Sequence, residues 1–268
     1  RSSALVSVIV PVHDPPRRIL EACLSSVLAQ THEEWELCIC DDGSADPRVQ
    51  QVLAEYEALD SRVKVTRSDR SLGISGASNL AAKQATGVML AFLDHDDELH
   101  PQALAEIAHA VESDPTIDVL YTDEDKLEHR GAHSEPLLKP DWSPDYLRSA
   151  MYLFHCLCVR TALFRSLGGL RSDYYGSQDF DLALRAVREA RRVHHVPRIL
   201  FHWRKTAGSA SMGMDAKPYA WEAGRRALEE AALSMVPPAT ADFGLTPGSY
   251  RLRRRTGVLP PVTLAVVS

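Results

Sequence analysis

The chain begins with an almost unbroken apolar run, "LVSVIVPV" at residues 5 to 12, rich in β-branched side chains. A strand exposed on one face would alternate, so this run predicts a strand buried on both faces. It stops at "HDPPRR", where Asp14 is placed to cap a helix and the prolines suit its first turn. Ile19, Leu20, Cys23, Leu24, Val27 and Leu28 then recur at helical spacing, and "WELCIC" at 35 to 40 returns to strand character. The unit is βαβ. The same alternation predicts a helix over 47–59, a strand over 62–66, a helix over 77–86 closed by Gly87, and a strand "VMLAFLD" over 88–94. A helix over 101–112 and a strand over 117–123 follow. Past residue 130 the pattern loosens through "GAHSEPLLKPDWSPD", then recovers in a helix over 179–190, a strand over 193–201 and a helix over 216–233. The fold class is therefore α/β, with a mostly parallel sheet, helices on both faces, and ligands collecting beyond the carboxyl ends of the strands.

The tail carries an internal echo: "VTLAVVS" at 262–268 lays residue for residue on "VSVIVPV" at 6–12. We expect one domain over 1–236, a linker over 237–259 that includes the basic "RLRRR", and over 260–268 the first strand of a following domain of similar type. The absence of an initiator methionine and of a signal-peptide core also fits a piece of a longer protein.

Composition narrows the chemistry. Thirty Lys and Arg against 36 Asp and Glu give a formal charge of -6, which disfavours nucleic acid as a partner. Of five cysteines, the pairs Cys38/Cys40 and Cys156/Cys158 sit in apolar runs at a spacing that places each pair on one strand face. Buried free thiols in a reducing cytoplasm are the expectation. No apolar run reaches the length of a membrane span.

Two acidic clusters fall where strands end: Asp41-Asp42-Gly43-Ser44, and Asp94-His95-Asp96-Asp97 within "AFLDHDDELHP". Loops on one edge of a parallel sheet converge, and several carboxylates in one cleft repel unless a cation or hydrogen-bond donors compensate them. Asp-x-Asp presents hard oxygen ligands suited to Mg2+ or Mn2+ with positions left for phosphate oxygens. Asp97 taken alone reads equally well as a helix cap. The chain has no G-x-x-x-x-G-K-[ST], no G-x-G-x-x-G after its first strand, no G-x-S-x-G and no H-E-x-x-H. A dehalogenase-type phosphatase would need an aspartate where Cys40 stands. Metal and phosphate remain.

Seven segments in order, "SVIVPVHD", "DDGS", "GISGASNLA", "AFLDHDDELHP", "YTDEDKL", "GSQDFDLALR" and "ILFHWRK", make residues 4 to about 212 resemble the GT-A-fold glycosyltransferases of family 2. The likeness is closest to bacterial enzymes of O-antigen and rhamnan-type polysaccharide synthesis, often built as tandem domains. The resemblance implies a Rossmann-like GT-A sheet and an inverting, metal-dependent transfer from a nucleoside-diphosphate sugar, UDP or dTDP, to a glycan hydroxyl. It implies that Pro11, Val12 and His13 line the base site, that Asp42 accepts from the pyrimidine N3-H, and that Gly73 and Asn79 belong to the nucleotide loop. Asp94-His95-Asp96 corresponds to the DXD motif, with Asp96 a direct metal ligand and Asp94 facing ribose or metal. His202 in "FHWR" resembles a third metal ligand, and an imidazole in the set favours Mn2+ over Mg2+. For His13 a turn-capping role, and for His202 a strand-end packing role, stay open.

Relatives carry Ala-Arg-Asn where this chain has Ala77-Ser78-Asn79, so the cation for the diphosphate would come from Arg204 or Lys205. Inverting transfer also needs a carboxylate to take the acceptor's proton. The family pattern assigns this to Asp179 at a helix start, where a helix cap is the competing role; Asp181 is free to pair with Arg185 four residues on. The acceptor is expected to be a glycan or lipid-linked glycan read by the 130–178 region, with Trp142 a stacking wall or a packing plug, and by the 205–215 loop. A cytoplasmic enzyme is implied, with peripheral association at the inner face of the plasma membrane left open. The alternative is a catalytically silent sugar-nucleotide-binding module that supports a tandem partner.

Overall fold

The computed structural model describes residues 3–205 and 218–254. β1 (Val6–Val12), α1 (Arg17–Leu28), β2 (Trp35–Asp41), α2 (Pro47–Leu59) and β3 (Val63–Arg67) follow the predicted alternation. α3 (Gly73–Lys83), β4 (Met89–Phe92), a two-residue β5 (Glu98–Leu99), α4 (Ala103–Ser113) and β6 (Ile117–Leu127) complete the first half. The second half holds β7 (His133–Leu137), α5 (Pro144–Leu147), β8 (Leu157–Arg160), α6 (Thr161–Ser166), α7 (Gln178–Glu189), β9 (Arg192–Arg204) and α8 (Pro218–Leu233). A hairpin of β10 (Ala239–Phe243) and β11 (Tyr250–Arg254) closes the described chain.

One sheet runs β3-β2-β1-β4-β8-β6-β9-β5, with β7 paired to β6. The strands are parallel from β3 to β4 and again between β6 and β9, while β8 runs antiparallel to both of its neighbours. β1 and β2 are buried along their whole length, as their unbroken apolar runs require. One core layer joins α1, α2 and α4 to this face of the sheet, and the other lies under α3 and α7. Cys38 and Cys40 share the second layer, Cys156 and Cys158 the first, and the five thiols are free and buried.

Several expectations are corrected. Asp14 does not cap α1; it adopts a positive φ of 43° and accepts from the Asp46 amide at 3.0 Å. α3 ends at Lys83, so Gly87 is not its C-cap. Gly87 is required for another reason: a Cβ there would lie 2.6 Å from Leu5 O and Ser7 Oγ of the adjoining strand. Within the expected linker, residues 239–254 form the β10–β11 hairpin, with Ala241, Tyr250 and Leu252 packed against the second core layer. The strand expected over 262–268 lies outside the described residues.

β6 and β9 pair irregularly. While β6 advances one residue from Thr122 to Asp123, its partner in β9 moves from Val196 to Ile199, and the next step reaches Phe201. Pro197, which cannot donate to a ladder, falls in this bulge. Beyond it the strands run in step, with Asp125 opposite His202, Lys126 opposite Trp203 and Leu127 opposite Arg204.

Candidate active site

Because β2, β1 and β4 are adjacent and parallel, the loops after Asp41, Val12 and Phe92 open at one edge. β8 brings a fourth segment to this edge from the opposite direction. Its register pairs Leu90 with Val159 and Ala91 with Cys158; continued past the strand ends, it sets Asp94 opposite His155. A pocket forms there, lined among others by Pro11, Phe92, Asp94, His155, Gln178 and Asp179.

Asp94, Asp97 and His155 each offer a ligand atom within 4.8 Å of the others. Asp97 is fully buried. Its Oδ1 accepts from the Arg204 amide at 2.7 Å, while its Oδ2 has no hydrogen-bond partner among the described residues. Burial, with the charges of Asp96 and Asp94 beside it, pushes the Asp97 carboxyl well above the ordinary range. The Nδ1 of His155 is likewise buried without a hydrogen bond and lies 3.4 Å from Glu124. Two carboxylates and an imidazole, with Asp97 Oδ2 lacking a hydrogen-bond partner among the described residues, fit a divalent cation, and the nitrogen favours Mn2+ over Mg2+. His155 was not singled out in the sequence; the signal was its place immediately before the Cys156/Cys158 strand, opposite the acidic turn.

A buried ion pair supports this group. Lys139 Nζ donates to Glu124 Oε2 at 3.0 Å and to the His155 carbonyl at 2.6 Å, and it also reaches the Phe154 carbonyl. Glu124 Oε2 accepts from the His155 amide at 2.6 Å. Burial raises the Glu124 carboxyl, but His155 and Lys139 outweigh it and hold the pKa down at about 2.

Asp179 sits in the first turn of α7 and faces the same pocket. It is not the N-cap, which is Ser177; its Oδ1 accepts from the adjacent Phe180 amide at 2.8 Å. Burial pushes its carboxyl up, against the Phe180 amide and His155, with Asp94 adding to the rise. Asp181, two residues on, is buried and bonded to Arg185 at 2.7 Å, as its spacing suggested, and also to Arg171.

The other expected residues divide. Pro11 lines the pocket, and its carbonyl meets His95 Nδ1 at 3.1 Å. Val12 is buried, and its carbonyl accepts from the Asp42 amide at 2.8 Å. His13 is exposed, with Nδ1 3.0 Å from the Asp42 carbonyl. The Asp42 carboxylate is engaged within the chain, accepting from Ser71 Oγ at 2.8 Å and from the Leu72 and Gly73 amides at 2.6 and 3.0 Å. Gly73 holds a φ of +71° at this turn, the left-handed region that favours glycine.

Four residues are not brought to the pocket in the manner expected. Asn79 spends both ends of its amide on Leu170, donating to its carbonyl at 2.8 Å and accepting from its amide at 2.9 Å; it clasps the 168–170 turn instead of a nucleotide. Arg204 is held by Glu98 and by the Asp96 carbonyl at 2.8 Å, and Lys205 by Glu128 and Glu135 at 2.7 and 2.6 Å. His202 does not join the Asp94 group. Its neighbours Phe201 and Trp203 both contact the His155 ring, so strand alternation turns His202 to the other face of β9. Asp96 stays beside the group through its charge on Asp97, whereas the ligand atoms that converge belong to Asp94, Asp97 and His155. Trp142 is half-buried against the second core layer.

The "Glycosyl transferase family 2" description matches residues 7–167. The O-antigen biosynthesis protein RfbC of Myxococcus xanthus is 37% identical over 263 residues, covering 98% of this chain and 20% of that protein. An uncharacterized protein of Sinorhizobium fredii, y4gI, is 41% identical over 254 residues, covering 94% of this chain and 28% of its own length. This chain therefore spans less than a third of these curated relatives. Among solved structures, S. aureus TarS in complex with UDP-GlcNAc superposes with a TM-score of 0.70 at 21% identity, over 85% of this chain and 66% of that one. The chain belongs to glycosyl transferase family 2 and has the GT-A fold.

Proposed function

We propose that this chain is an inverting glycosyltransferase that moves a sugar from a nucleoside diphosphate, UDP or dTDP, to a hydroxyl of a glycan acceptor in bacterial surface polysaccharide synthesis. The observation that carries it is the shared pocket: Asp94 and His155 on one wall and Asp179 on another leave a space between a cation-binding group and a proton acceptor. The names of the relatives support the setting: RfbC of Myxococcus xanthus and TuaG, a putative teichuronic acid biosynthesis glycosyltransferase of Bacillus subtilis. The UDP-GlcNAc held by TarS supports a uridine donor.

Asp94, Asp97 and His155 are the residues that would hold a Mn2+ or Mg2+ ion, which when bound supplies Lewis-acid charge to the departing diphosphate. Asp179 takes the proton of the acceptor hydroxyl as that oxygen attacks the anomeric carbon. Its raised carboxyl suits a base better than an ordinary carboxylate would. Pro11 and the turn organised by Asp42 border the nucleotide end of the pocket. Since the chain covers only part of its relatives, a tandem partner domain completes the reading, and the acceptor, glycan or lipid-linked glycan, would bring the protein to the inner face of the membrane. No helix among the described residues is long and apolar enough to cross one.

The test follows nucleoside diphosphate released from UDP-, dTDP- and GDP-sugars with Mn2+ and a glycan acceptor. Asp179→Asn is expected to cut the rate by roughly 10² to 10⁴ while donor binding is kept. Equal rates for the two proteins refute the base, and donor binding with no turnover in either supports the silent module instead.

A further inference from the structure

On the face of β9 that turns away from His155, a second group of ligand-type side chains comes together. Asp125 of β6 lies directly opposite His202 of β9 in the parallel ladder. His133 of β7 lies opposite Leu127, and therefore diagonal to Asp125 on the same face. Asp125 Oδ1 is 2.7 Å from His202 Nδ1, and its Oδ2 is 3.0 Å from His133 Nδ1. The imidazole centroids of His133 and His202 are 4.4 Å apart, edge to face. Each of the three offers a ligand atom within 4.8 Å of the others. A third imidazole, His100, lies with its ring 5.9 Å from that of His202, and its Nδ1 accepts from the Gln102 amide at 3.2 Å, which leaves Nε2 as the nitrogen for a metal.

We propose that Asp125, His133 and His202 form a transition-metal site, suited to Zn2+, distinct from the cation group at Asp94. Two imidazoles and one carboxylate are the donor set of three-residue zinc sites, with a further position left to water or to His100. The softer, nitrogen-rich set separates it from the oxygen-richer Asp94 group. Asp125 and His202 are largely enclosed while the His133 side chain is half exposed, so an ion has both an enclosed seat and an entrance. An ion here ties β7 to β9 across β6.

The experiment titrates the metal-stripped chain with Zn2+ by calorimetry, without nucleotide, and with Co2+ by visible absorption. One site per chain with nitrogen-rich cobalt bands is expected. His133→Ala, at an exposed edge strand, and Asp125→Asn are each expected to weaken Zn2+ at least about 100-fold, more than is usual for losing a supporting residue. Circular dichroism confirms that each variant is folded, and Mn2+-dependent UDP binding by His133→Ala is expected to match the unsubstituted chain. Absence of zinc binding, or a zinc affinity in both variants equal to that of the unsubstituted chain, overturns the proposal. So does zinc binding lost on His155→Ala and kept on His133→Ala. Because the zinc titration uses no nucleotide, its failure is separable from failure of the donor assignment.

Discussion

Lys139→Met tests how the protein holds its candidate cation group in place. Methionine keeps most of the aliphatic stem and removes the ammonium. Lys139 and Glu124 are each 1% exposed at the side chain, so no water replaces the lost partner. The fall of the Glu124 carboxyl from 4.5 to about 2 corresponds to roughly 3 kcal/mol of preference for the ionised form. Removing one member of a buried pair leaves the other charge uncompensated, which costs about 3 to 5 kcal/mol. We expect a loss of about 3 kcal/mol at pH 7, read by urea denaturation. The sign with pH follows from the same numbers. In the native chain the depressed carboxyl contributes stability that is present above pH 4.5 and is lost as pH falls towards 2. In the variant one of the partners that oppose burial is gone, so the carboxyl rises from its depressed position and protonation relieves part of the cost. The deficit is then largest near neutrality and shrinks in acid. Glu124→Gln in the Lys139→Met background recovers part of the loss. A deficit under about 1 kcal/mol, or one equal at pH 7 and pH 4, refutes the reasoning.

Three further outcomes are expected. The transfer rate rises with pH through the elevated Asp179 carboxyl, whose burial keeps it protonated to higher pH than an ordinary aspartate, and Asp179→Asn removes that limb of the pH-rate profile. Glu36 is 4% exposed and holds its carboxyl at about 2 against burial, through Lys64, Ser7 and the Thr86 and Gly87 amides. Glu36→Gln should cost about 3 kcal/mol at pH 7 and flatten the loss of stability between pH 4.5 and 2, measured by denaturation across that range. Asn79→Ala breaks both bonds to Leu170 and should lower stability by about 1 to 3 kcal/mol while UDP affinity measured by calorimetry is unchanged.

How far the sequence reached depends on whether the information was local. α1, α2 and α7 were legible because their apolar spacing is set within a few residues, and the Asp181–Arg185 pair because its partners are one turn apart. The acidic turn was legible as the end of a strand in a parallel alternation, while Asp179 was reached through the family pattern rather than from the order of elements. His155 was not, because its role depends on β8 entering the sheet antiparallel, a pairing between residues 67 positions apart in Ala91 and Cys158. His202 was set beside the DXD aspartates by the resemblance, whereas its phase is fixed by the bulge in β9, not by its neighbours in sequence. Asn79 sat in a motif stretch, yet its bonds go to a turn 91 residues later.

The bulge around Pro197 therefore acts as a phase setter for two chemistries at once. Side chains alternate along β9, so a one-residue deletion there would swap its faces, carrying His202 towards His155 and an aromatic ring into the place between Asp125 and His133. Neither group can be retuned by sliding this strand without dismantling the other. An insertion or deletion of one residue between 196 and 204 therefore disturbs both groups together.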